Sequence, residues 1–238
     1  MILKKTNDPF KRILEAEGRS ITIMVAGEEH IPYVDTINKT IEEASHARGT
    51  GIARRTFEYL ASKIKEGKAI IALEGETFAG FCYIESWGHD KYVANSGLIV
   101  VPNYRGLGLA KAIKKLAFKL SRKKFPHSKI FGLTTGLAVM KINSELGYRP
   151  VTFSELTDDE QFWKGCMSCV NYDILMRTGR TKCLCTGMLY DPAWEVKGHA
   201  KKTPFKVFKK WLRERRTKGG GFNLFSGKFF SPLKFRKH

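Results

Sequence analysis

Apolar and polar residues follow two rhythms along this chain, one of period two and one near 3.6, and their order predicts an α+β domain. Residues 21–25 alternate as a short strand. Across 29–48, Ile31, Val34, Ile37, Ile41 and Ala44 recur at three- and four-residue steps, which predicts a helix. Gly49 and Gly51 break that pattern. Thr56 suits the N-cap of a second helix over 57–66, which Gly67 stops. Residues 69–73 and 78–85 read as strands flanking a turn at 74–77, a hairpin signal. A turn at 87–91 leads to a strand over 93–101, which ends at Pro102 because proline donates no ladder hydrogen bond. From Leu109 the period changes, and Ile113, Leu116, Ala117 and Leu120 share a helical face. A strand over 129–135, a short helix closing at 143–147 and a last strand follow. Residues 1–20 are mixed and charged, and read as a lead-in helix or loose arm.

The passage from the apolar run 93–101 through Arg105, Gly106 and Gly108 into a helix carries the most chemistry. A Gly-rich turn that opens a helix presents unpaired backbone N–H groups and the positive end of the helix dipole, so it is suited to an anion. Glycine lets the backbone approach a phosphate closely. Two common phosphate signatures are excluded. There is no Gly-Lys-Ser/Thr, and neither the third glycine nor the downstream acid of a dinucleotide fingerprint is present.

Arg105-x-x-Gly108-x-Ala110, set between a strand and a long helix, resembles the pyrophosphate-binding signature of the GNAT superfamily of acyl-CoA-dependent N-acyltransferases. The run Asn143-Ser144-Glu145-Leu146-Gly147-Tyr148 is similar to that family's closing helix-to-strand turn, and the resemblance covers residues 21–153. It implies a mixed, mostly antiparallel sheet with helices on both faces. It also implies acetyl-CoA or another acyl-CoA such as succinyl-CoA as cofactor, with the pyrophosphate held by the backbone of Arg105, Gly106, Leu107, Gly108, Leu109, Ala110 and Lys111. The pantetheine would pair with Leu98, Ile99 and Val100, where a backbone N–H would take the thioester oxygen. The amine would then attack the thioester directly, helped mainly by orientation.

Where many members of this family have a tyrosine acid, five residues before the closing aromatic, this chain has Asn143. Asparagine cannot act as an acid but can hydrogen-bond the thiolate or the pantetheine. Glu85, at a strand end, and His89, in the following turn, are the candidate bases. Tyr83 and Ser96 are candidates to line the acceptor cleft, and Arg48, Arg54 and Arg55 to clamp an acceptor carboxylate. The chain is also similar to a bacterial group within the family associated with arginine biosynthesis, whose acceptor is glutamate. Acylation of a protein or peptide amine, and a non-catalytic module binding acyl-CoA or nucleic acid, are the alternatives.

Residues 157–160 mark a boundary, with Thr157 as the expected helix cap and Glu160 completing a capping box. The organisation expected is a lead-in at 1–20, an acyltransferase domain at 21–156, a Cys-bearing extension at 157–192 and a basic tail at 193–238. Cys166, Cys169, Cys183 and Cys185 form a C-x₂-C…C-x-C set that matches four-thiolate structural zinc, although the second pair is tighter than usual; four ordinary reduced thiols are the alternative. The tail holds fourteen Lys or Arg against two Glu, so it carries +12 of the net +19. Its basic and aromatic residues suit an amphipathic helix docked on the body, an anionic membrane surface or RNA. No run approaches the roughly 18 apolar residues of a membrane span. The first residues lack the apolar stretch of a secretory signal, which makes a cytoplasmic location the expectation.

Overall fold

The computed structural model describes residues 1–48 and 55–196, with side chains for all of these except 46–48 and 196. Nine strands form one sheet: β1 (Ile2–Lys5), β2 (Lys11–Ala16), β3 (Arg19–Val25), β4 (Ala69–Glu74), β5 (Thr77–Trp87), β6 (Tyr92–Val100), β7 (Lys129–Thr134), β8 (Arg149–Val151) and β9 (Thr186–Tyr190). Their spatial order is β1-β2-β3-β4-β5-β6-β7-β9-β8. Among the described residues, β6 and β7 run parallel and every other neighbouring pair is antiparallel. The helices are α1 (Val34–Arg48), α2 (Phe57–Lys65), α3 (Leu109–Lys124), α4 (Leu137–Glu145), α5 (Glu160–Lys164), α6 (Tyr172–Arg177) and α7 (Ala193–Val196).

Period-two alternation in the central strands sorts side chains between two layers. Ile70, Cys82 and Ile84 face α3, packing with Ile113, Leu116 and Ala117. Ile71, Phe81 and Tyr83 face the other way, against Ile37 and Ile41 of α1 and Leu60 and Ile64 of α2. The strands are therefore buried on both sides, which explains why 78–85 is nearly continuous in apolar residues. Thr56 caps α2 as its position predicts, its hydroxyl accepting from the Tyr59 N–H at 3.2 Å.

Three expectations are corrected. Residues 2–16 are not a helix or loose arm: they supply β1 and β2, and Leu14 and Ala16 enter the core on the α3 side. Glu17 and Gly18, both at positive φ, make the tight turn to β3. The helix expected from residue 29 begins at Val34, because Pro32 holds 28–33 in a 3₁₀ turn. Asp159, not Thr157, caps α5: its carboxylate accepts from the Gln161 N–H at 2.9 Å, and Thr157 instead accepts from Asp159 N–H.

The extension docks beyond β7 through aromatic residues, on the face of the sheet that α1 and α2 cover further along. Trp163 is 5% exposed, donates its Nε1–H to Thr157 O at 2.8 Å and lies 5.0 and 5.6 Å from the rings of Phe162 and Phe153. Trp163→Ala is expected to cost about 3–5 kcal/mol, read as a lower urea midpoint. A loss under about 1 kcal/mol would mean that the extension is not anchored there. Residues 197–238 lie outside the described residues, and the expectations for the basic tail fall there. No described helix is long and apolar enough to cross a membrane.

Candidate active site

The site is built where the parallel pair comes apart. β6 and β7 are paired over Tyr92–Ala94 and Lys129–Phe131, and beyond these residues the two strands diverge. In the gap lies a cavity of about 190 Å³. One wall is the backbone of 95–98 on β6, another Gly132 to Thr135 at the end of β7. The β5–β6 ladder slips by one residue here, so that Cys82 faces both Gly97 and Leu98. A bulge of this kind leaves backbone groups uncommitted to the neighbouring strand. Gly97 is required twice over: its φ is +63°, and a Cβ there would sit 2.8 Å from the Tyr83 ring.

Directly after β6, Pro102–Tyr104 makes one 3₁₀ turn and the chain passes Gly106 and Gly108, both at positive φ, into α3. The first helical bond closes from the Ala112 N–H to Gly108 O at 3.1 Å, so the preceding amides at the helix start have no partner within the helix. The first turn of α3 contains no acidic residue and no side chain caps it. Leu107 and Leu109 are buried in the core on the α3 side. Arg105 donates Nε–H to Val100 O at 3.2 Å and pins the turn to β6, while Lys111 pairs with Glu145 of α4 at 2.6 Å. Ile99 is a core residue, and Leu98 lines the cavity. The arrangement is a ready anion cradle a few residues from the cavity mouth.

From the α3 side of the sheet the cavity is lined by Lys114 and by Asn143 of α4. Asn143 is 1% exposed and its Oδ1 has no hydrogen-bond partner among the described residues. Lys114 is 2% exposed, and sequence reasoning passed over it because a lysine in an amphipathic helix reads as solvent-facing. From the other side come Tyr83, Arg55 and the four cysteines of the extension. Arg55 donates Nε–H to Tyr83 Oη at 2.8 Å. Ser96 also lines the cavity. Arg54 and the loop at 49–54 lie outside the described residues, as does the side chain of Arg48.

The two candidate bases are not among the lining residues. Glu85 shares a strand face with Tyr83 but is tied into an ion cluster: it pairs with Lys63, lies 3.8 Å from Lys68 and accepts from Tyr59 Oη at 3.2 Å. The Tyr59 ring meets that of Tyr83 edge-on at 5.8 Å, which links the cluster to the cavity wall. His89 is exposed in the β5–β6 turn at φ +54°.

The spacing of Cys166, Cys169, Cys183 and Cys185 brings all four to one cavity, as free thiols. Among the described residues, however, no group of three or more His, Cys, Asp or Glu side chains is placed to hold a metal ion, so the structure does not show the expected zinc site. Burial pushes the Cys166 thiol up to about 11 and Cys185 to about 12, with the neighbouring cysteines adding to both.

Comparison with known proteins fits this geometry. Residues 37–138 match the family model described as the acetyltransferase (GNAT) family. N-acetylglutamate synthase from Neisseria gonorrhoeae, complexed with coenzyme A and N-acetyl-glutamate, superposes with a TM-score of 0.52 at 18% identity, over 74% of this chain and 35% of that one. This chain thus spans about a third of that protein's length, and at such identity the likeness is one of fold. Rv2747 from Mycobacterium tuberculosis, in complex with CoA and NLQ, gives 0.49 at 15% identity, over 71% of this chain and 98% of that one. Naa50 from Arabidopsis thaliana, with the bisubstrate analogue CoA-Ac-MVNAL, gives 0.46 at 13%, over 72% and 98%. No curated protein matches the chain. The family match spans α1 to the start of α4, so over residues 37–138 the chain is similar to the acetyltransferase (GNAT) family, and the fold agrees with it over most of the chain.

Proposed function

We propose that the protein is an acyl-CoA-dependent N-acyltransferase that moves an acetyl or succinyl group to the amine of a small amino acid, with glutamate as the first candidate. The observation that carries this reading is a pair of features that follow one another along the chain: a cavity opened by the divergence of β6 and β7, lined by Leu98 and Lys114, and between those residues in sequence an anion cradle at the start of α3. A CoA molecule has the matching parts, a pyrophosphate for the cradle and a narrow pantetheine arm for the gap. In this reading the backbone at 97–100 pairs with the pantetheine and polarises the thioester carbonyl, as preorganised donors do for a developing oxyanion. Asn143, with an unsatisfied Oδ1 in the cavity, receives an N–H of the pantetheine.

The acceptor enters from the opposite side of the sheet, where Arg55 and Tyr83 meet. A guanidinium there suits a carboxylate, which favours an amino acid over an uncharged amine. Glu85 takes the acceptor's proton through water, two residues along the strand face that Tyr83 shares. Orientation of the two substrates supplies much of the rate.

The test is thiol release from acetyl-CoA and succinyl-CoA with each of the twenty amino acids in turn. Release stimulated by glutamate is expected, and the preferred thioester then names the acyl group. Release stimulated by peptides and not competed by free glutamate would move the acceptor to a protein amine. CoA binding without release under any condition would leave a non-catalytic module.

A further inference from the structure

A buried ammonium without a counter-charge is costly, and a protein that keeps one in a substrate cavity has a charge elsewhere for it to meet. Lys114 is such a group. It is 2% exposed, lines the cavity from α3, and makes no ion pair or hydrogen bond among the described residues. Its Nζ lies beneath β7, 3.8 Å from where a Cβ on Gly132 would be, and 5.3 Å from the centre of the Tyr148 ring. The titratable groups facing it are Cys82 of β5 and Tyr148 after α4, and burial raises both, so neither supplies an anion near neutral pH. Asn95 of β6 is committed to Ser121 and Tyr148, at 2.8 and 3.0 Å. The Lys111–Glu145 pair one turn away neutralises itself. Asn143, across the same cavity, has no proton to give as an acid.

We infer that Lys114 is a catalytic residue that protonates the CoA thiolate as it leaves. The step rests on the acyltransferase reading above. The acceptor nitrogen forms a bond to the thioester carbon, the carbon–sulfur bond breaks with its electron pair going to sulfur, and an Nζ–H proton passes to that sulfur. The free amine of Lys114 then regains a proton from solvent. Burial pushes the Lys114 ammonium down to about 8. A CoA-type thiol ionises near 8.5. The transfer is thus nearly balanced, which is where general acid catalysis is most effective at neutral pH. The same ammonium, unpaired in the free protein, gains its counter-charge only as the thiolate develops, so the interaction favours the transition state over the bound thioester.

Lys114→Met removes the charge at nearly constant volume and is expected to fold with an unchanged or higher Tm, since it deletes an uncompensated buried ion. With acetyl-CoA and glutamate, kcat at pH 7 is expected to fall about 100-fold, with KM for acetyl-CoA little changed. In the unaltered protein kcat should decline as pH rises through about 8, as the ammonium is lost, and the variant should lack that limb. A second readout needs no acceptor and no variant. The ultraviolet absorbance of the CoA thiolate, taken as the difference between complexes with CoA and with desulfo-CoA, should titrate below the free thiol in the unaltered protein. Equal kcat in Lys114→Met, or a bound thiol that ionises no more readily than free CoA, would overturn the inference and leave the acyltransferase reading in place. Absence of thioester turnover by the unaltered protein would overturn both.

Discussion

Gly108→Glu should abolish CoA binding, weakening it on the order of 100-fold or more in a calorimetric titration. Gly108 is the last residue before α3 and sits at φ +79°, with the unpartnered amides of the first helical turn just beyond it. A carboxylate placed there competes for the same amides that a pyrophosphate would use, and it repels the phosphates directly. Unit charges about 4 Å apart at an effective dielectric near 20 repel by about 4 kcal/mol, which exceeds the roughly 2.7 kcal/mol that a hundredfold loss requires. The substitution also strains the backbone, because an L residue at this φ costs on the order of 1 kcal/mol. A Cβ there would further meet the flexible side chain of Met1. Gly108→Asn separates the effects. Asparagine tolerates the left-handed region and carries no charge, so this variant should hold CoA within about tenfold of the unaltered protein. A folded Gly108→Glu protein that still binds CoA tightly would remove the cradle from the cofactor site.

The second large effect is expected at Arg55, on the acceptor side. Its guanidinium is fixed by Tyr83 Oη, stacks 5.5 Å from the Tyr59 ring and approaches the backbone at Gly165. Burial opposes the charge on this guanidinium, but the Tyr83 phenol and its hydrogen bond outweigh that and favour the charged form. Loss of a charged hydrogen bond to an acceptor carboxylate costs about 1.5–3 kcal/mol, roughly 10- to 150-fold. Arg55→Met should therefore raise KM for glutamate by that factor and leave KM for acetyl-CoA nearly unchanged. Arg55→Lys should recover part of the loss, since it keeps the charge and gives up the two-pronged geometry. Unchanged glutamate kinetics in Arg55→Met would place the acceptor carboxylate elsewhere.

The parts of the fold legible in sequence are those where burial on both faces or a single helical stripe left a simple pattern. The run 93–101 ending at Pro102, the glycines before α3 and the Leu-Gly-Tyr close of α4 all sit in the structure as their chemistry suggests. β1 and β2 were hidden because they lie at the sheet edge. β1 is exposed throughout, and only Leu14 and Ala16 of β2 are buried, too few to show an alternation among lysines and arginines.

In the site, sequence offered Arg48, Arg54 and Arg55 alike; the structure places Arg55 against Tyr83, while Arg54 and the side chain of Arg48 lie outside the described residues. Lys114 gave one faint signal. It falls in the stripe Ala110, Lys114, Ala117, Ser121, small or polar positions flanking the apolar face of α3, and Ser121 proves fully buried as well. The cysteine spacing correctly implied a shared location, but spacing says nothing about whether four sulfurs converge on one point or surround a cavity.

The central claim is that the amides opening α3 and the uncoupled end of β6 hold a CoA molecule. Amide hydrogen exchange measured with and without CoA tests it directly. Added CoA should slow exchange at Gly108 to Lys111 and at 97–100, while the β2–β3 hairpin, which lies on the far side of the sheet order, keeps its rates. CoA binding that leaves both segments exchanging as before would contradict the account.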